Sequence, residues 1–277
     1  MPISKSVLLV FSDDLFFTPH FEDVARSLGF QFRLVEKASD IGAQGQPAAR
    51  ELALTEPLEG PDAALIKNLV EKRPAMILVD TSSQSIPWQR WIQVIKSSAA
   101  TRRIPIVAFG PHVDKDILQA ASDAGSDYVV SRGKIQKSLL QIIEQWALVP
   151  DQAAIHSDCQ DELSSSALEG LKLLNRGEYF QAHEHLEVAW KDSQAYLLRA
   201  LVQVSVIYLH VGRANYRGAL KMLLRVRQWI DPLPDECQGI DVAAIRDNLA
   251  QLHLKLEEVG PQGMETIDPE LLKPIRA

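Results

Sequence analysis

At 277 residues, 46% of them hydrophobic, the chain is long enough to bury two ordinary cores, which excludes a globally disordered polypeptide. A formal charge of −7 excludes a general binder of nucleic acid or anionic membrane, either of which calls for a basic surface. Two cysteines, Cys159 and Cys237, with no metal-type spacing predict neither a disulfide framework nor a zinc ribbon, as in a reducing cytoplasm.

The apolar run before Ser12, Asp13 and Asp14 is too short for a signal peptide. It is the first of five short apolar runs, at 6–11, 30–35, 76–80, 104–109 and 127–131, that read as strands buried on both faces. Helical stretches alternate with them at 20–28, 63–71, 88–97, 114–124 and 135–146. The first and fourth stop at Gly29 and Gly125, and Pro87 precedes the third. This alternation predicts an α/β unit, a doubly wound five-stranded parallel sheet with right-handed crossovers, over residues 1–148. Residues 38–61 are too long for an ordinary connection and read as an irregular insertion or a mobile excursion. In the loop beyond the fourth strand, Asp114 is expected to cap the next helix and to leave His112 solvated.

Residues 76–80, ending in Asp80, the strand at 104–109 and the turn Ala124-Gly125-Ser126-Asp127 together resemble the receiver domain of response regulators. The resemblance implies a flavodoxin-like fold and places Asp80 at the phosphate-accepting position. It also implies that the supporting machinery is degenerate. Phe11 and Ser12 stand where the acidic metal-binding pair begins, Asp13 and Asp14 are displaced toward the loop, Gly110 replaces the switch Ser/Thr, and Arg132 replaces the Lys that contacts the phosphoryl group. Phosphoryl transfer needs a metal and positioned cations, so a phosphorylation-incompetent pseudo-receiver is expected.

Residues 149–163 turn polar and read as a linker. From 164 to 277 the pattern is helical, with helices at 163–174, 178–191, 194–211, 215–230 and 241–258, no strand, and a Pro-rich tail expected to dock through Ile267, Leu271 and Leu272. The stretch 197–211 is interrupted by Arg199, Gln203 and Ser205 and falls short of a membrane span. Tyr179, Ala182, Leu186 and Ala189 recur 37 residues later as Tyr216, Ala219, Leu223 and Val226, which predicts two similar helix pairs in a closed bundle.

At helical period Tyr179, Phe180, His183, Leu186, Glu187 and Trp190 share one apolar face with two ionisable groups in it. Arg199, Gln203 and His210 form a matching polar stripe, so His183, Glu184, Glu187, Gln203 and His210 are expected to meet as a polar cluster. The Gly177-Glu178-Tyr179-Phe180 and Ala182-His183-Glu184 motifs, Glu187 and Trp190, then Gln203 and His210, with Asn215 and Gly218-Ala219 after them, resemble a prokaryotic helical family, domain of unknown function 309, over about 164–235. That resemblance implies a fold and a shared polar core and no established activity. The cluster has two readings. It is a hydrogen-bonded pair that holds helix register, or a site for a divalent metal such as zinc, manganese or iron, with His183, Glu187 and His210 as ligands.

No nucleophile elbow, Walker loop or dinucleotide-binding glycine pattern occurs, so an enzyme is the minority reading. A regulatory or scaffolding protein is expected, with a protein partner or self-association, a homodimer being one form of it. Trp88, Trp91, Trp146 and Trp229 are candidates for contact area, although such aromatics more often serve the core. Arg213, Arg217, Lys221 and Arg225 make a basic ridge that by default is a solvated face.

Overall fold

The computed structural model describes residues 6–45 and 60–276, and the chain divides into two compact units between Val149 and Pro150. In the first unit β1 (Val7–Phe11), β2 (Gln31–Val35), β3 (Pro74–Asp80), β4 (Ile106–Gly110) and β5 (Tyr128–Ser131) form one parallel sheet in the order β2-β1-β3-β4-β5. This is the doubly wound order of flavodoxin-like folds, and the receiver-like architecture expected from the sequence is present. Strands β1, β3 and β4 are buried along their whole length, because helices cover both faces and side chains alternate between them. Leu8, Val10, Met76, Leu78, Val107 and Phe109 meet α1 (Thr18–Ser27) and α5 (Arg132–Trp146) through Phe21, Ala25, Ile135 and Leu139. On β1 the alternate residue Phe11 packs edge-on against Trp91 of α3 (Trp88–Ser97), at 4.8 Å between ring centroids. The remaining helices are α2 (Gly60–Lys72) and α4 (Lys115–Asp123).

Asp114 caps α4, its carboxylate accepting from Ile117 N at 3.1 Å, and His112 is exposed beside it, as expected. Within the insertion, residues Ala38–Ile41 form a 3-10 turn held by Asp40, which accepts from Glu36 N and Lys37 N. The rest of that expectation, over 46–59, lies outside the described residues.

The second unit is helical, with α7 (Ser165–Asn175), α8 (Tyr179–Ser193), α9 (Tyr196–Gly212), α10 (Tyr216–Ile230) and α11 (Val242–Val259). Ser164, Asn215 and Asp241 cap α7, α10 and α11 with their side chains. Successive helices joined by short connections pack as neighbours, and the two members of the 37-residue echo bury the same positions: Ala182, Leu186 and Ala189 on α8, Ala219, Leu223 and Val226 on α10. No helix among the described residues is long and apolar enough to cross a membrane.

Three local expectations are corrected. The polar segment at 149–163 contains a helix, α6 (Gln152–Asp158), because Asp151 accepts from Ala153 N and Ala154 N and Ile155 finds a buried seat. A two-stranded hairpin, β6 (Glu236–Cys237) and β7 (Ile240–Asp241), interrupts the helices where none was expected, since strands of two residues carry no readable period. The cysteines, expected to be unpaired, are joined as Cys159–Cys237 across 78 residues, because the end of α6 and the hairpin meet.

The tail docks, with a different set of anchors in front. Met264, Ile267 and Ile275 are buried whereas Leu271 and Leu272 are half-buried. Polar clasps hold it as well: Asn175 donates to Ile275 O at 2.7 Å and accepts from Ile275 N at 2.8 Å, and Asn248 donates to Leu271 O at 2.8 Å. The Tyr208 hydroxyl lies 2.7 Å from Asn248 Oδ1 and 3.0 Å from Lys273 O. Burial pushes that phenol well above its ordinary range, with the nearby Tyr179 adding to the effect, so it acts there as a neutral donor.

Candidate functional site

The carboxyl edge of the parallel sheet brings Asp80, at the end of β3, beside Ser12 and Asp14 after β1 and Arg132 at the start of α5. Asp80 is fully buried, and each of its oxygens is engaged. Oδ2 accepts from Arg132 Nη2 at 2.6 Å and from Ser12 Oγ at 3.1 Å, and Oδ1 accepts from Ser82 N at 2.9 Å. The same guanidinium donates through Nη1 to Asp14 Oδ2 at 2.9 Å and lies 4.9 Å from the Phe17 ring centroid. Burial works against the charge on Arg132, but the bond to Asp80 and the charges of Asp80 and Asp14 outweigh it and hold its pKa above the ordinary arginine value.

Asp13 is turned to the neighbouring loop, where it accepts from Gln84 N and Ser85 N, each at 3.0 Å. Burial raises its pKa, and the bonds from Ser85, Ser83 and Gln84 overcome that and hold it below the usual carboxylate range. Both acidic residues expected near a metal position are thus committed to protein donors. At Gly110 a Cβ would collide with Thr81 Oγ1, which itself donates to Phe109 O at 3.2 Å. Thr81 fills the room that a switch hydroxyl at 110 would need, so the Gly there has a packing cause.

In the helical unit, among the described residues, no hydrogen bond or ion pair joins two members of the expected cluster. Phe180, assigned to the apolar face of α8, is 51% exposed, and the buried stripe runs instead through Ala182, Leu186 and Ala189. The small alanines let the neighbouring helices come close, and this turns the face by one position. His183 and Glu187 are therefore half-buried at its margin and Glu184 is exposed. Glu187 pairs with Lys191 at 3.4 Å, one turn along its own helix. His210 Nδ1 is 3.1 Å from Asn215 Nδ2, and burial lowers its pKa, with Arg213 adding to the effect. Gln203 is 2% exposed, and among the described residues neither its amide nitrogen nor its oxygen has a hydrogen-bond partner; His183 Nδ1 is likewise buried without one there. Arg199 lies over the Trp190 ring at 3.8 Å and is 5.7 Å from that of Trp229, a stack not foreseen from the sequence because its members come from α8, α9 and α10. Among the described residues no three His, Cys, Asp or Glu side chains are grouped to hold a metal, either here or around Asp80.

One of the four candidate contact aromatics is buried and three are half-buried. Trp91 is buried, Trp146 stacks on Tyr128, and Trp229 packs against Tyr196, while Trp88 is half-buried. In the basic ridge Arg213 and Arg217 are exposed, and Lys221 and Arg225 are half-buried.

No curated protein matches the chain. Among solved structures, the receiver domain of sensor histidine kinase PA1611 from Pseudomonas aeruginosa PAO1 is similar over 51% of this chain and 97% of its own, with 17% identity and a TM-score of 0.39. The chemotaxis response regulator CheY4 of Vibrio cholerae is similar over 51% and 98%, with 11% identity and a TM-score of 0.38. A response-regulator receiver domain from Bermanella marisrubri covers 51% and 98%, at 19% identity and a TM-score of 0.37. Residues 167–222, which follow the parallel-sheet unit, match the family model described as domain of unknown function (DUF309).

Proposed function

We propose that the protein is a regulatory or scaffolding protein whose receiver-like unit works without phosphoryl transfer and is coupled to a helical interaction unit. The observation that carries this reading is the Arg132 guanidinium on Asp80 Oδ2. To accept a phosphoryl group, a carboxylate oxygen must offer a lone pair in line with the donor while a metal and cations neutralise the equatorial oxygens. Here Arg132, Ser12 and Ser82 N occupy three of the roughly four lone-pair sites of the Asp80 carboxylate, Asp14 is taken by the same guanidinium, and Asp13 by two loop amides. The arginine supplies within the fold the positive charge that Asp80 and Asp14 would otherwise seek from an ion, so the edge of the sheet is held in one arrangement. What such a unit can offer is a fixed surface. Phe16, 96% exposed, stands in the loop after β1, and Val113 is exposed in the loop after β4, and a protein partner or a second copy of the chain is the proposed reader.

Incubation with acetyl phosphate and Mg²⁺ tests the reading, with intact mass as the readout and a receiver domain known to accept phosphate as control. The expected outcome is no added phosphoryl group on this chain while the control is modified. A stable adduct on Asp80 would overturn it.

A further inference from the structure

We propose that Cys159 and Cys237 form a thiol–disulfide exchange site that latches α6 to the β6–β7 hairpin and releases it on reduction, with a cationic disulfide as the preferred exchange partner. The bond joins the residue that follows α6 to the end of β6. Its two sides are anchored very differently. The hairpin side is rigidly held: Arg246 donates to Asp235 Oδ1 at 2.8 Å, Leu233 O at 2.7 Å and Pro234 O at 2.9 Å, and Asp241 caps α11. The α6 side is a seven-residue helix that buries Ile155 and leaves Gln152, Ala153, Ala154, His156 and Ser157 exposed. A helix this short does not persist on its own. Besides the disulfide, Gln238 holds it through two bonds to its carbonyl end, N to Cys159 O at 3.0 Å and Nε2 to Asp158 O at 2.8 Å. Opening the disulfide sets the burial of Ile155 and those two bonds against the entropy of the segment.

Both half-cystines, Cys159 7% and Cys237 2% exposed, line one surface depression together with Asp161, Glu162 and Glu236, and among the described residues no cationic side chain lines it. Closure is a balanced exchange. One cysteine thiolate attacks a small disulfide RSSR and expels RS⁻, the second attacks the mixed disulfide and expels another. The two protons lost by the cysteines end on two released RSH. The three carboxylates repel an anionic disulfide and attract a cationic one.

The full-length chain, reduced and freed of reductant, is exposed to cystamine or to oxidised glutathione, and thiols are counted by alkylation and mass spectrometry. Both reagents are expected to end in the internal bond. Cystamine should be about tenfold faster at low ionic strength, with the gap narrowing as salt screens the carboxylates. Amide hydrogen exchange in α6 should slow by about tenfold on closure while α8 to α10 stay unchanged. Cys237→Ser, which cannot close, should match the reduced chain in α6. Free thiols that persist under excess disulfide, or a stable mixed adduct, would overturn the pairing; equal exchange in the two forms would overturn the latch. Glutathione closing the bond as fast as cystamine at low salt would overturn the assignment of the partner.

Discussion

Replacing Arg132 by Ala removes the one side-chain cation bonded to Asp80 among the described residues and leaves a fully buried carboxylate with Ser12 Oγ and Ser82 N as its donors. Breaking one partner of a buried pair costs about 3–5 kcal/mol, because the remaining charge stays out of water uncompensated. Two donors remain and the Arg132 side chain is 26% exposed, so the lower end, about 3 kcal/mol, is expected. Asp80→Asn in the wild-type background leaves Arg132 with Asp14 and should cost about 1–2 kcal/mol. In the double variant the buried charge is gone, so its loss should fall short of the sum by at least about 1 kcal/mol. Urea unfolding followed by hydrogen exchange in β3 reads the first unit separately from the second. A loss below about 1 kcal/mol in Arg132→Ala, or an additive double variant, would refute the view that this arginine neutralises the buried carboxylate.

At Gly218 a Cβ would lie 2.6 Å from His210 Nδ1 and 2.8 Å from Asn215 Nδ2. Gly218→Ala, which in an open helix gains up to about 1 kcal/mol, should therefore lose about 1–3 kcal/mol in thermal or urea unfolding. Gln203→Leu replaces an unpartnered buried amide by an apolar group of similar length and should raise stability by about 1 kcal/mol; a loss would mean that the amide is satisfied after all. His210, whose folded pKa lies below the ordinary 6.5, contributes stability that is full above about 6.5 and declines as pH falls from there toward the lower folded value. The melting temperature of the wild type should thus drop more steeply between about pH 7 and 5 than that of His210→Gln, and parallel curves would contradict this.

What the sequence by itself determined is the part governed by short-range pattern. Strands buried on both faces show as continuous Val- and Ile-rich runs, and glycines and caps such as Asp114 mark helix ends within a few residues. The five alternations therefore specify the parallel sheet and place Gly110 at the end of β4 and Arg132 at the start of α5. Tertiary structure alone decided what such side chains do. That Arg132 bridges Asp80 and Asp14, 52 and 118 residues away, follows from where β1, β3 and α5 converge. The hydrophobic period of α8 fitted two faces one residue apart, and the close approach allowed by Ala182 and Ala189 selected the one that exposes Phe180 and separates His183 from Glu184. The meeting of Cys159 with Cys237 joins elements 78 residues apart, and the Trp190–Arg199–Trp229 stack joins three successive helices whose facing sides the packing selects. Periodicity reports which side of an element is buried; which partner buries it depends on the packing of the whole unit.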